Sequence, residues 1–220
     1  MKKEEVLAKI HEVGIVPGIR TSSAEDGRFA AEAIAKGGIP IVEITMTVPK
    51  AIDVISDMAR NSPNVIVGAG TVLDLETARR CLDAGARFLT SPGFDLKIVE
   101  FAVKENCLMI AGAMTPTEVI AAWQAGSSLV KVFPCGLIGG PAYIRALRGP
   151  FPQVPMIAAG GVNQETAADY ILAGAAGLGI GGRLIPKAAI EHRQPEQISE
   201  LARRFLRIVK TARNKASHRS

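Results

Sequence analysis

Residues 25–45 read EDGRFAAEAIAKGGIPIVEIT, and this stretch contains one complete structural unit. Glu25–Lys36 is rich in Ala, Glu and Lys and is spaced for a helix, Gly37 ends it, and Ile39–Thr45 is a short β-branched run that is apolar on both of its faces. A strand of that kind belongs to a parallel sheet covered by helices on both sides. The same alternation recurs along the chain. Further strand candidates are Gly14–Arg20, Val65–Gly70, Phe88–Ser91, Cys107–Ala111, Leu129–Phe133, Met156–Gly160 and Leu178–Gly181, and helical stretches include Ala51–Asn61, Glu76–Asp83, Leu96–Asn106 and Gln164–Ala173. Gly85, Gly126 and Gly174 follow helical stretches as Gly37 does, and all four are expected as left-handed C-caps. Eight such units in series predict a (β/α)8 TIM barrel with an extra N-terminal helix over Met1–Val13 and a last helix over Pro195–Ala212. The runner-up is an open doubly wound sheet, against which stands the lack of a GxGxxG sequence after the first strand.

No composition shift or Pro/Ser-rich linker divides the 220 residues, so 1–220 reads as a single domain with 213–220 as a basic, disordered tail. A content of 48% apolar residues supports a large core and excludes a disordered chain or a disulfide scaffold. The net charge of +5 is local: Arg203 to Ser220 holds seven bases and no acid, which leaves 19 bases against 21 acids elsewhere, or −2. Nucleic-acid binding, which spreads positive charge over a docking face, is therefore not expected. Cys81, Cys107 and Cys135 fit neither a CxxC pair nor a zinc spacing and read as reduced thiols. The N-terminal MKKEEVLAK has no apolar signal core and no run is long enough to span a membrane, so a cytoplasmic protein with no membrane partner is expected.

In a barrel, alternate strand residues point inward, and chemistry gathers at the strands' C-terminal ends. If Val42 and Ile44 face the helices, Glu43 faces the interior; by the same alternation Val130 and Val132 face out and Lys131 faces in. A buried strand-centre lysine is either ion-paired or a neutral amine able to attack carbonyls. Two readings are thus open for Lys131 and Glu43: a structural salt bridge, or a Schiff-base lysine with a carboxylate that moves protons. Glycines at the seventh and eighth strand ends, Gly160-Gly161 and Gly181-Gly182 with Arg183, suit a phosphate, and Arg20 at the end of the first strand is placed to clamp an anion or to cap a loop. His11, His192 and His218 lie away from strand ends, and inward acids are too few for a metal cage, so no metal is expected. Trp123 and Met109 read as packing, and Cys135 falls near the pocket with nothing to mark it as activated.

Seven segments then carry a family resemblance: Glu43-Ile44-Thr45, Gly68-Ala69-Gly70-Thr71-Val72, Ser91-Pro92, Met114-Thr115-Pro116-Thr117-Glu118, Lys131-Val132-Phe133-Pro134, Gly149-Pro150-Phe151 and Gly160-Gly161-Val162. In this order and spacing, from about residue 5 to 210, the chain resembles the 2-keto-3-deoxy-6-phosphogluconate (KDPG) / 4-hydroxy-2-oxoglutarate (KHG) aldolases. The resemblance implies a class I aldolase without cofactor, usually a homotrimer, that acts on a small 2-keto acid or phosphosugar acid. It implies Lys131 as the Schiff-base residue and Glu43 as acid/base through a water. It further implies Thr71, Ser91 and Pro92 at the pyruvate end, Phe133 packed on it, and Gly160, Gly161, Gly181 and Gly182 at the phosphate. The chain departs from the pattern at Thr47, where many members carry a carboxylate-clamping Arg that Arg20 would replace, at Ala159 in place of Thr, and at Arg183 in place of a small residue. The expected reaction is cleavage of KDPG to pyruvate and glyceraldehyde 3-phosphate. Cleavage of 4-hydroxy-2-oxoglutarate, cleavage of the 4-epimeric phosphogalactonate, and a non-catalytic phosphate-binding barrel remain as alternatives.

Overall fold

A computed structural model describes residues 1–217. Its eight strands are all parallel and hydrogen-bond in chain order into a closed barrel: β1 (Ile15–Ile19), β2 (Ile41–Thr45), β3 (Ile66–Gly70), β4 (Phe88–Thr90), β5 (Leu108–Ala113), β6 (Leu129–Val132), β7 (Met156–Ala159) and β8 (Gly177–Ile180), with β8 pairing back onto β1. The fold is the (β/α)8 barrel that the repeated βα unit predicts. Helix α1 (Lys3–Val13) precedes β1 and turns Val6, Ile10 and Val13 inward at helical spacing. It touches both β5 and β8, so it lies across the barrel's N-terminal end.

The outer ring consists of α2 (Ala24–Lys36), α3 (Ala51–Asn61), α4 (Leu75–Asp83), α5 (Leu96–Lys104), α6 (Pro116–Gln124), α7 (Pro141–Arg148), α8 (Ala167–Leu172), the short α9 (Lys187–Glu191) and α10 (Pro195–Ser217), with a 3-10 turn at Cys135–Ile138. Starts are fixed by side chains that satisfy free N–H groups: Ser23 accepts from Asp26, Asp74 from Thr77 and Asp95 from Ile98. The segment Met114–Glu118 is a capping box in which Thr115 accepts from the Glu118 N–H, and the Glu118 carboxylate accepts from the N–H groups of Met114 and Thr115 at 2.8 Å each. Helix α8 begins later than the composition suggests because the Asn163 carboxamide accepts from the Glu165 and Thr166 N–H groups and holds a turn there.

Three expectations need correction. Gly85, Gly126 and Gly174 take left-handed φ values of 100°, 97° and 99°, but Gly37 is right-handed at φ −75° and the left-handed residue is Gly38. Gly37 is small for another reason: a Cβ there would lie 2.7 Å from the Ser199 carbonyl oxygen, so its lack of a side chain lets α10 pack on α2. Ser199 seals the same junction by donating to the Ala33 carbonyl at 2.7 Å. The last helix also runs beyond Ala212 to Ser217, so residues 213–217 of the basic tail are helical, with Arg213 donating to the carbonyls of Glu12 and Ala176. Residues 218–220, including His218, lie outside the described residues. Finally, α5 stops at Lys104 and Asn106, expected in the helix, turns left-handed at φ 50°.

Candidate active site

The barrel's register sorts its inward residues into layers. With a stagger of about one residue per strand, even strands contribute one layer of four and odd strands the next. Glu43 on β2, Thr90 on β4, Lys131 on β6 and Gly179 on β8 make up one layer. Gly18, Gly70, Gly112 and Ala159, from the odd strands, form the layer above it toward the C-terminal end. Three glycines and an alanine leave that upper layer nearly empty. Beneath the polar layer, Val16, Ile110 and Ile157 and the Phe88 ring, which occupies the space a side chain on Gly68 would need, form an apolar floor.

The result is a cavity of about 650 Å³, open at the C-terminal mouth and lined by Glu43, Thr45, Thr90, Lys131, Phe133, Ala159 and the β7 and β8 end loops. Lys131 is 9% exposed and Glu43 5%. The Lys131 Nζ stands 5.3 Å from the centroid of the Phe133 ring, where the aromatic face attracts a cation. Among the described residues, no carboxylate lies within 4.0 Å of Lys131 and Glu43 has no ion pair. The salt-bridge reading of the pair is thereby overturned. Glu43 instead leans over Gly70, whose missing Cβ would overlap the carboxylate.

At the mouth, Arg20 and Arg183 are exposed, line the cavity and have no ion pair among the described residues, so its upper end is positive. The N–H groups of Gly161, Val162, Gly182 and Arg183, all on the cavity wall, donate to no other group among the described residues. Free backbone N–H groups on one wall with a guanidinium suit an anion. Gly160 and Gly161 reach the required backbone at φ 79° and 93°. The Gly160 carbonyl accepts from the Gly136 N–H at 2.7 Å, which ties the β6 and β7 loops together.

Of the residues singled out from sequence, Lys131, Glu43, Arg20, Phe133, Gly160, Gly161, Gly181, Gly182 and Arg183 meet on this cavity. Thr47, Thr71, Ser91 and Pro92 are not among its lining residues. Thr47 is exposed and bonds the Thr45 hydroxyl at 2.7 Å, while Thr45, whose hydroxyl donates to the Ile19 carbonyl, takes the place on the wall. Thr71 turns left-handed at φ 58° just past β3. Ser91 is a turn residue: its hydroxyl donates to the Gly93 carbonyl at 2.7 Å and accepts from the Gly112 N–H at 3.3 Å. The Pro92 carbonyl folds into the space that a Gly112 side chain would need. Cys135 is also off the wall; it is buried with its thiol directed at the Gly140 carbonyl, and burial pushes its ionisation up. The sequence reading missed Thr90, although the alternation that identified Glu43 would have found it. Among the described residues, no group of three or more His, Cys, Asp or Glu could hold a metal ion.

A closed parallel barrel with a buried lysine and a buried carboxylate on one cavity at the strands' C-terminal ends has the layout of a (β/α)8 enzyme. Comparison with known proteins makes the assignment specific. The family model "KDPG and KHG aldolase" matches residues 6–201. The chain is 34% identical over 190 residues to the KHG/KDPG aldolase of Escherichia coli K12, covering 86% of this chain and 89% of that protein. It is 33% identical over 196 residues to the 2-dehydro-3-deoxy-phosphogluconate aldolase of Pseudomonas aeruginosa, covering 89% of each. A crystal structure of the KDPG aldolase of Legionella pneumophila, with pyruvate captured as a covalent carbinolamine intermediate, superposes with a TM-score of 0.84 at 30% identity over 90% of this chain and 96% of that one. The chain belongs to the KDPG and KHG aldolase family. It is an aldolase, a carbon–carbon lyase.

Proposed function

We propose that the chain cleaves 2-keto-3-deoxy-6-phosphogluconate to pyruvate and D-glyceraldehyde 3-phosphate, with Lys131 as the Schiff-base nucleophile and Glu43 as the acid/base. The observation that carries this reading is the layer geometry: both groups face one cavity, and neither is held by an ion pair, so both are available for chemistry. The Lys131 amine attacks the C2 ketone, the C2 oxygen leaves as water, and the iminium so formed is the electron sink. Glu43 takes the C4 hydroxyl proton, the C3–C4 bond breaks, and its electrons pass to the iminium to give the pyruvate enamine. Protonation at C3 and hydrolysis return the free lysine. No step calls for a cofactor or a metal.

Arg20, exposed at the mouth, is the group proposed to clamp the substrate carboxylate in place of the arginine that Thr47 lacks. The free N–H groups after β7 and β8, with Arg183, are proposed to bind the 6-phosphate. Buried free cysteines are in keeping with a reducing, cytoplasmic setting, and among the described residues no helix is long and apolar enough to cross a membrane. A homotrimer is the assembly that the family resemblance implies and is part of this reading.

Steady-state comparison of phosphorylated and unphosphorylated substrates tests the assignment. Charge-assisted hydrogen bonds are worth about 1.5–3 kcal/mol each, so removing the phosphate should lower kcat/KM by roughly tenfold or more per contact. Arg183→Ser should weaken the phosphorylated substrate and leave 4-hydroxy-2-oxoglutarate nearly untouched. Equal kcat/KM for the sugar acid with and without phosphate would refute the phosphate site and favour 4-hydroxy-2-oxoglutarate as the substrate.

A further inference from the structure

Among the described residues, one buried polar side-chain atom has no hydrogen-bond partner: the Oγ1 of Thr90, at the C-terminal end of β4. The other buried hydroxyls are engaged, Thr45 with Ile19, Ser91 with Gly93, Ser127 with Met109 and Leu129, and Ser199 with Ala33 and Pro195. A buried hydroxyl with no partner serves stability less well than the methyl group that would fill the same space, so packing gives no reason for a threonine here. Thr90 is 1% exposed and borders the cavity, in the layer where β4 stands between the strands of Glu43 and Lys131.

Glu43 faces the same cavity. It is buried as a residue, its carboxylate is open to the cavity, and among the described residues no group donates a hydrogen bond to it. Its side chain bends over Gly70 of β3, the strand between β2 and β4, with Cγ only 2.5 Å from where a Gly70 Cβ would be. Gly70 pairs with Thr45 on one side, and one step along from the Ala69–Leu89 pair it lies beside Thr90 on the other. The bend therefore carries the carboxylate from its own strand toward β4. A donor without an acceptor and a carboxylate without a donor lie on either side of a residue that has no side chain. A turn of about 120° around χ1 carries the hydroxyl to another staggered position, with one of the two heavy atoms taking the place of the Cβ hydrogen, and so can bring it out of its covered position toward the cavity that Thr90 borders.

The geometry points to Thr90 as a positioning residue for Glu43: its hydroxyl donates to the Glu43 carboxylate, directly or through one water, and holds it over Gly70 facing the carbon skeleton carried by Lys131. This rests on the Schiff-base reading of Lys131 and Glu43. Thr90 forms no bond to substrate; it fixes the direction from which Glu43 takes and returns its proton, and a displacement of about 1 Å at such a group can cost on the order of 10² in rate.

Valine keeps the volume and removes the hydroxyl. Thr90→Val should fold with an unchanged or higher Tm and still be labelled by pyruvate and borohydride. KM should stay within about twofold while kcat falls roughly tenfold to hundredfold, and Thr90→Ser should recover most of the loss. In a Glu43→Gln background, itself down by about 10² to 10⁴, Thr90→Val should cost less than about twofold more, because a residue acting through Glu43 has nothing left to position. If the valine variant fails to fold, Thr90→Ala in the same cycle decides the question. A kcat within about threefold of wild type, or a loss undiminished in the Glu43→Gln background, overturns the role of Thr90. Failure of wild-type enzyme to be labelled overturns the Schiff-base reading instead.

Discussion

Replacing Gly70 with alanine tests whether the empty layer above Lys131 and Glu43 is what places the carboxylate. The added Cβ would sit 2.5 Å from the Glu43 Cγ and closer still to its carboxyl group, where ordinary contact begins near 3.4 Å. The obstacle is the end of a flexible side chain, so the backbone need not move and the protein should fold. Relief requires Cγ to withdraw by about 1 Å and the carboxylate by more, and a misplacement of that size at a catalytic group costs on the order of 10² in rate. That corresponds to about 2.7 kcal/mol of lost transition-state stabilisation. A coupled assay that follows pyruvate release should therefore show kcat falling about 10²-fold, with KM little changed and borohydride labelling of Lys131 retained, since nothing at Gly70 touches the lysine. A Gly70→Ala enzyme with kcat within about threefold of wild type would mean that the position of Glu43 over Gly70 does not matter to the chemistry.

Two further outcomes follow from the ionisable groups. Burial pushes the Cys81 and Cys107 thiols up to about 12, so at pH 8 only about 10⁻⁴ of each is thiolate and the native protein should resist thiol reagents until denaturant is added; fast labelling of either cysteine in the folded enzyme would contradict this. Hydrogen bonds from the Met114 and Thr115 N–H groups hold the Glu118 carboxyl below its ordinary value of 4.5. A depressed carboxyl contributes stability above its unfolded value and loses it as pH falls through the folded one. Glu118→Ala should thus lower Tm at pH 7, and by progressively less below about pH 4; a difference that persists undiminished in acid would remove the cap from the explanation.

The sequence makes the barrel legible because its signal is repeated. Each strand is too short to be decisive alone, but runs such as Ile41–Thr45 and Leu129–Val132 recur with a helix between them, and burial on both faces leaves little room for another reading. The same alternation identifies Glu43 and Lys131, since a charge among β-branched neighbours can only face inward. What local pattern leaves hidden is whatever depends on contacts between distant segments or on the backbone just past a strand. Gly37 looks like a left-handed cap, but its small size serves the approach of α10, 165 residues later at Ala202. Ser91 and Pro92 sit at a strand end, as site residues do, yet their polar atoms are used by Gly93 and folded against Gly112. Thr71 has a strand-end position but a left-handed backbone that no local pattern announces. Thr90 lies at an inward position of its strand, but a threonine in a β-branched run passes for an ordinary strand residue. Its significance appears only when the layer is assembled and its hydroxyl is found without a partner.

The central claim is that the Lys131 amine forms the covalent bond to substrate. Incubation with pyruvate and sodium borohydride, followed by peptide mapping, tests it in one step, because only a lysine that forms an imine is irreversibly alkylated. One adduct per chain is expected, on Lys131, and none in Lys131→Ala, which should also be inactive. An adduct on a surface lysine such as Lys104, or cleavage that survives in Lys131→Ala, would contradict it.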